Sequence, residues 1–221
     1  MSSQSTINRR VTPGARWPGV RWIVAAAAIL TLLTAMALDT KVVVIGSAED
    51  ARKAAFSPEA FGKSEFPNIQ SAVDQRAVAA GVLASAIAKD KAAAEKQYGV
   101  PANVGTEFSV KFTGVVGEGK SGIYAVKVDD VPSTLVIRVQ TGPAINGTDL
   151  RDATGTITFG QFTNQIEYQN AGSALNNEMK KQVLSTIDNT KLTGKTVSVV
   201  GVFKLVNPKG WLVTPVKLSV Q

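Results

Sequence analysis

Three side chains able to hold a charge or a polar ligand, Asp149, Arg151 and Asp152, crowd into one short segment, and a second polar group, Asn164, Gln165, Glu167 and Tyr168, comes soon after it. Acidic, amide and guanidinium groups beside glycine turns can hydrogen-bond sugar hydroxyls or a partner's surface. They can equally serve the fold, the first three by capping and pairing around a turn after Asn146-Gly147, and Asn164 by satisfying loop backbone groups. At helical spacing Asn164 and Tyr168 share one face, while Phe162 and Ile166 share another that is expected to point to the core. Arg151 is expected to pair with Asp149 or Asp152, and the Tyr168 hydroxyl favours a half-wet, interfacial position.

Other chemistries find less support. The chain has no histidine and no cysteine, which removes the Ser-His-Asp arrangement, thiolate chemistry and the usual zinc sites. Carboxylates at 129 and 130, or at 149, 152 and 167, could hold calcium or act as a glycosidase acid and base pair, but neither set has the EF-hand ligand spacing. Gly114, Gly117 and Gly119 lie between strand patterns with no Gly-Lys-Ser/Thr helix start after them, and read as a hairpin turn rather than a phosphate loop. No enzyme, metal or cofactor is expected.

The chain carries 24 basic and 17 acidic residues, a net charge of +7. Four of the basic residues, Arg9, Arg10, Arg16 and Arg21, precede residues 22–38, WIVAAAAILTLLTAMAL; 24 less these four leaves 20 against 17. That balance offers no broad basic field for nucleic acid, and Trp211 is the one tryptophan left for base stacking.

Residues 22–38 contain no charge, and as a helix they would extend roughly 25 Å, enough to cross a thin bilayer. The arginines on its N-terminal side predict a cytoplasmic tail over 1–21, an inner-membrane anchor over 22–38 and an exported C-terminal part. Ala35 and Ala37 form an A-x-A pattern that a peptidase could cut, but the apolar run exceeds the usual core of a cleaved signal, so an uncleaved anchor is expected.

Beyond the anchor, KVVVIG (41–46) reads as a short strand and Ser57-Pro58-Glu59 as a helix start. Ile69, Val73, Ala77, Ala80, Leu83 and Ile87 recur at helical spacing and predict one amphipathic helix over about 68–98, stopped by Gly99 and Pro101. Residues 39–103 thus form a helical linker region expected to pack on the strands C-terminal to it. From residue 107 the period becomes alternating: Phe108, Val110 and Phe112; Tyr124, Val126 and Val128; Leu135, Ile137 and Val139. Residues 161–187 read as a helix broken near Gly172. Val197 to Leu205 and Leu212, Val216, Leu218 and Val220 then form two strands around the turn Asn207-Pro208-Lys209-Gly210. Three strands, a helical insertion and two more strands suit an α+β fold, an OB-like five-stranded antiparallel barrel over 104–221, with a small open sheet as the competing architecture.

At 147–176, GTDLRDATGTITFGQFTNQIEYQNAGSALN, the chain resembles an uncharacterised bacterial family of predicted periplasmic lipoproteins, and GKTVSVVGVF (194–203) and LVTPVKL (212–218) extend the likeness. The resemblance implies a membrane-attached periplasmic protein, often encoded beside sugar or polyol ABC transporters. Its partners would then be the inner membrane and either transporter subunits or a sugar or polyol. Members carry a lipidated cysteine at the end of the signal; here Asp39 and Thr40 stand there, and an uncleaved helix is the natural substitute. The function expected is a non-enzymatic accessory protein, with a small-polar-ligand binding module and a carboxylate-dependent hydrolase as alternatives.

Overall fold

The structure, a computed structural model, describes residues 19–40 and 56–221. The strand expected over 41–46 and most of the basic tail lie outside the described residues. The chain divides into two compact units, Met1–Ala54 and Ala55–Gln221.

In the first unit, α1 (Gly19–Asp39) reaches a mean hydropathy of 2.0 over an 18-residue stretch and has no buried residue. Its 21 residues would extend roughly 31 Å at about 1.5 Å per residue, the thickness of a bilayer core. Thr31 and Thr34 donate their hydroxyls to the carbonyls of Ala27 and Leu30 at 2.9 and 2.8 Å. The helix therefore satisfies these polar groups without water, as a hydrocarbon environment demands.

The second unit is built on a ring of five strands. β3 (Thr106–Lys120) pairs with β4 (Ile123–Lys127), β4 with β5 (Val136–Gln140), β5 with β7 (Gly210–Val220), β7 with β6 (Thr196–Lys204), and β6 again with β3. Four of these pairings are antiparallel, but β5 and β7 run parallel, which corrects the expectation of an all-antiparallel sheet. A parallel neighbour needs a long crossover, and here the helical insertion and β6 lie between the two strands. Two short strands, β1 (Val78–Ala79) and β2 (Gly99–Pro101), also pair with β3.

Strand alternation sends Phe108, Val110, Ile137, Val139, Val199, Phe203 and Trp211 to one buried cluster. Phe203 stacks on Trp211 at 4.5 Å and on Phe108 at 5.7 Å. The last strand departs from its expected face. A register shift beside Gly201 turns Trp211 and Val213 inward and leaves Leu212 exposed. A Cβ on Gly201 would stand 2.6 Å from the Thr214 carbonyl, so the shift requires a glycine.

The expected helix over 68–98 is three helices: α2 (Pro58–Arg76), α3 (Ala80–Lys89) and α4 (Lys91–Tyr98). Ser57 caps the first by accepting from the Ala60 amide at 3.4 Å, and Asp90 caps the last by accepting from Ala93 at 3.0 Å. The break has a tertiary cause. Val78 and Ala79 extend to pair with Val110 and Lys111, and the chain thereby passes between cores: Ile69 and Val73 belong to a second cluster, whereas Ala80, Leu83 and Ile87 join the first.

That second cluster lies between the opposite face of the sheet and the helical insertion, joining Phe66, Ile69 and Val73 to Leu150, Tyr168, Leu175, Met179, Val202 and Val216. α5 (Asp149–Asp152) and α6 (Gln165–Met179) supply its cover, and a π-helical turn, Lys180–Leu184, prolongs α6. The break expected near Gly172 is absent, because that glycine is buried in the body of α6. Gly62 serves the contact between α2 and α6: a Cβ there would stand 2.7 Å from the Ala174 carbonyl.

Candidate functional site

The structure brings Asp149, Arg151, Asp152 and Tyr168 together and leaves Asn164, Gln165 and Glu167 apart. Asn164 is the N-cap of α6, accepting from the Glu167 amide at 2.9 Å, and the Glu167 carboxylate accepts from the Thr163 amide at 2.9 Å. The two form a reciprocal capping arrangement. Gln165 is exposed in the first turn. Tyr168 faces the core at 4 % exposure, whereas Ile166 is 70 % exposed, the reverse of the expected orientation for that isoleucine. Phe162 is half-buried and packs its ring on those of Phe61 and Tyr168, so the entry to α6 is oriented by aromatic contacts rather than by Ile166.

Arg151 and Asp152 are both buried. The guanidinium donates to the two Asp152 oxygens at 2.8 and 3.2 Å and, at 3.4 Å, to the Tyr168 carbonyl. Its carbon sits 3.7 Å from the centre of the Tyr168 ring, a desolvated cation–π contact. The Tyr168 hydroxyl accepts from the Asn103 amide at 3.0 Å. Replacing Tyr168 with phenylalanine keeps the ring over Arg151 and removes one hydrogen bond; urea unfolding should show a loss of only about 0.5–1.5 kcal/mol.

Beneath this pair lies a group that strand alternation conceals. Glu107 of β3 stands directly across from Lys204 of β6, on the sheet face that α5 covers, and its exposure is 0 %. Lys204 Nζ approaches Glu107 at 3.2 Å, Asp152 at 3.6 Å and the Thr148 hydroxyl at 3.4 Å. Thr148 donates to Asp152 at 2.7 Å, and Asp149 accepts from Thr214, which accepts in turn from Gln140. Neither Glu107 oxygen has a hydrogen-bond partner among the described residues.

Three carboxylates thus share a largely buried site with two cations. Burial, reinforced by the charge of Asp149 and opposed by Lys204, pushes the Glu107 carboxyl up to about 8. Burial also raises Asp149, against Lys204 and the Thr214 hydrogen bond. For Lys204, burial works downward, but Glu107, Asp152 and Asp149 outweigh it and hold the ammonium above its usual value. With Glu107 neutral, the charges of the other four groups balance.

A cavity of about 240 Å³ opens beside the cluster, walled by Asn103, Asp152, Gly155, Ile157, Thr158 and Tyr168 together with Pro101 and Ala102. Glu107 and Asp149 are not in its wall. No group of three or more acidic side chains is disposed to hold a metal ion among the described residues, and the Lys204 ammonium stands among the carboxylates where a cation would bind. Asp129 and Asp130 are exposed in the β4–β5 connection.

An OB-fold protein from Thermotoga maritima, known from its crystal structure, superposes with a TM-score of 0.61 at 18 % identity, over 76 % of this chain and 100 % of that one. The likeness is one of fold. No curated protein matches the chain. The family model described as "Predicted periplasmic lipoprotein (DUF2291)" matches residues 26–219, from within α1 to the end of β7, so the chain belongs to that predicted periplasmic lipoprotein family.

Proposed function

We propose that this protein is a non-enzymatic accessory protein of the periplasm, held in the inner membrane by α1 with its N-terminus in the cytoplasm. The observation that carries the reading is α1 itself, apolar, without a buried residue, and preceding a unit that owns two hydrophobic cores. Since the chain has no cysteine, a spanning helix supplies the attachment that lipidation gives other members of its family.

Geometry also favours a non-catalytic role. The carboxyl with the most displaced titration, Glu107, is sealed between sheet and α5, out of a substrate's reach. Phe108, Phe203 and Trp211, the rings that base stacking would need on the surface, have 0 % exposure, which argues against a nucleic-acid partner.

The partner proposed is a subunit of a sugar or polyol ABC transporter, a link supported by the resemblance of the signature segment. Affinity capture of the full-length chain from detergent-solubilised native membranes should recover the transporter's subunits; a capture free of them contradicts the link.

The cavity beside Tyr168 favours a second reading, capture of a small polar ligand. Tyr168 and Asn103 line it, and a phenol and a side-chain amide can each bond a hydroxyl. A sugar or polyol that raises the melting temperature in a dose-dependent way supports capture, and a flat response across such compounds removes it.

A further inference from the structure

We propose that Glu107 is a proton-operated latch. While its carboxyl is neutral the buried cluster is charge-balanced and α5 stays seated on β3 and β6; loss of the proton leaves three carboxylates against two cations and releases α5 with the segment C-terminal to it. The inference does not depend on the transporter or ligand readings.

The geometry rests on the surroundings of the carboxyl. Among the described residues the charged groups facing it are Lys204 from β6 and Asp149 and Asp152 from α5, with Arg151 tied to Asp152. β2 lays the uncharged Gly99, Val100 and Pro101 alongside, and α2 turns Phe66, Ile69 and Val73 to the core. Both Glu107 oxygens lack hydrogen-bond partners among the described residues and are shut off from bulk solvent, so an ionised carboxylate there would have one ammonium, itself shared with Asp152, to offset its lost hydration.

α5 is held by this cluster and by Leu150 in the second core. It is a single turn, and apart from Leu150 its side chains reach other elements through Asp149 to Thr214, Arg151 to the carbonyl and ring of Tyr168, and Asp152 to Lys204. The strands beneath are instead fixed by continuous pairing from Glu107 to Val115 against Thr196 to Lys204. Opening α5 would let water reach Glu107 without breaking the ring. The segment after α5 includes Gly155 and Thr158 of the cavity wall and the exposed Phe159, so the latch would set the shape of that surface.

The direction with pH is a matter of linkage. Closed, the carboxyl titrates at about 8; open, it reverts toward 4.5. The closed form therefore holds an extra proton between those values, and the opening constant rises by up to about tenfold per pH unit across that window and levels off above it.

Hydrogen exchange on the full-length chain in detergent, corrected for the intrinsic pH dependence of exchange, tests the latch. Between pH 5 and 8, protection over residues 147–160 should fall by up to about tenfold per unit and then flatten, and at each pH it should lie well below that of β6 from Val197 to Phe203, which opens only with the whole fold. Glu107→Gln should abolish the dependence. Asp149→Asn, which keeps the acceptor for Thr214 but removes the negative charge that raises Glu107, should bring the plateau to lower pH. A wild-type profile flat with pH, protection over 147–160 no weaker than that of β6, a Glu107→Gln profile tracking the wild type, or an Asp149→Asn curve superposing on it would each overturn the proposal.

Discussion

Asp152→Ala should cost about 3–5 kcal/mol of stability, since removing one partner of a buried ion pair strands the other charge. Asp152 receives two bonds from Arg151, one from Thr148 and the approach of Lys204. Its loss therefore leaves a guanidinium without its carboxylate and an ammonium with only Glu107 and Asp149 as acidic neighbours. Arg151→Ala should cost a similar amount, and the double replacement less than the sum of the two, because each single change already breaks the same pair. Urea unfolding at neutral pH measures all three. A loss under about 1 kcal/mol for Asp152→Ala would mean that water reaches the pair and that α5 does not close over it.

The second large effect is a dependence of global stability on pH. Because the folded-state carboxyl of Glu107 titrates at about 8 against 4.5 in an unfolded chain, the native state binds one more proton than the unfolded state between those values. Stability supplied by the neutral carboxyl is fully present below about 4.5 and is lost as pH rises through about 8. The slope is up to about 1.4 kcal/mol per unit, on the order of 5 kcal/mol in all. Asp149, raised by the same burial, acts in the same direction. Glu107→Gln keeps the shape and the neutral state, with an amide oxygen available to Lys204. It should be several kcal/mol more stable than the wild type at pH 8.5 and nearly equal to it at pH 4.5, as read from denaturant midpoints at the two pH values. Equal midpoints at pH 8.5 would show that Glu107 is hydrated.

The signature cluster was half legible in the sequence. Asp149, Arg151 and Asp152 stand out because polar side chains crowd a glycine-rich segment where no strand or helix pattern calls for them. Glu107 and Lys204 do not, since each occupies an outward position in an alternating strand, where a charge ordinarily meets water. Only α5, brought there by tertiary packing, covers them. Tyr168 and Ile166 exchanged expected roles for a similar reason: helical spacing gives which residues share a face, but not which face meets the sheet.

The fold shows the same limit. Apolar spacing runs in phase from Ile69 through Ala77 and Ala80 to Ile87, so nothing local marks the point at which the chain leaves one core for the other. Pairing of Val78 and Ala79 with β3 decides it. Gly201 carries a trace of the bulge that turns Leu212 outward, yet a glycine inside a strand pattern names neither the partner strand nor the direction of the shift. The ring itself was legible, because the inward residues of its first four strands are mostly large, apolar and alternating.

The measurement closest to the central claim is the topology of the full-length chain. Alkaline phosphatase fused after Gln221 should be active in cells, and the fusion should stay in the membrane pellet after a carbonate wash with its N-terminal residues intact. An inactive phosphatase, or a washed-out species beginning at Leu38, would contradict an OB-type domain held outside the inner membrane by α1.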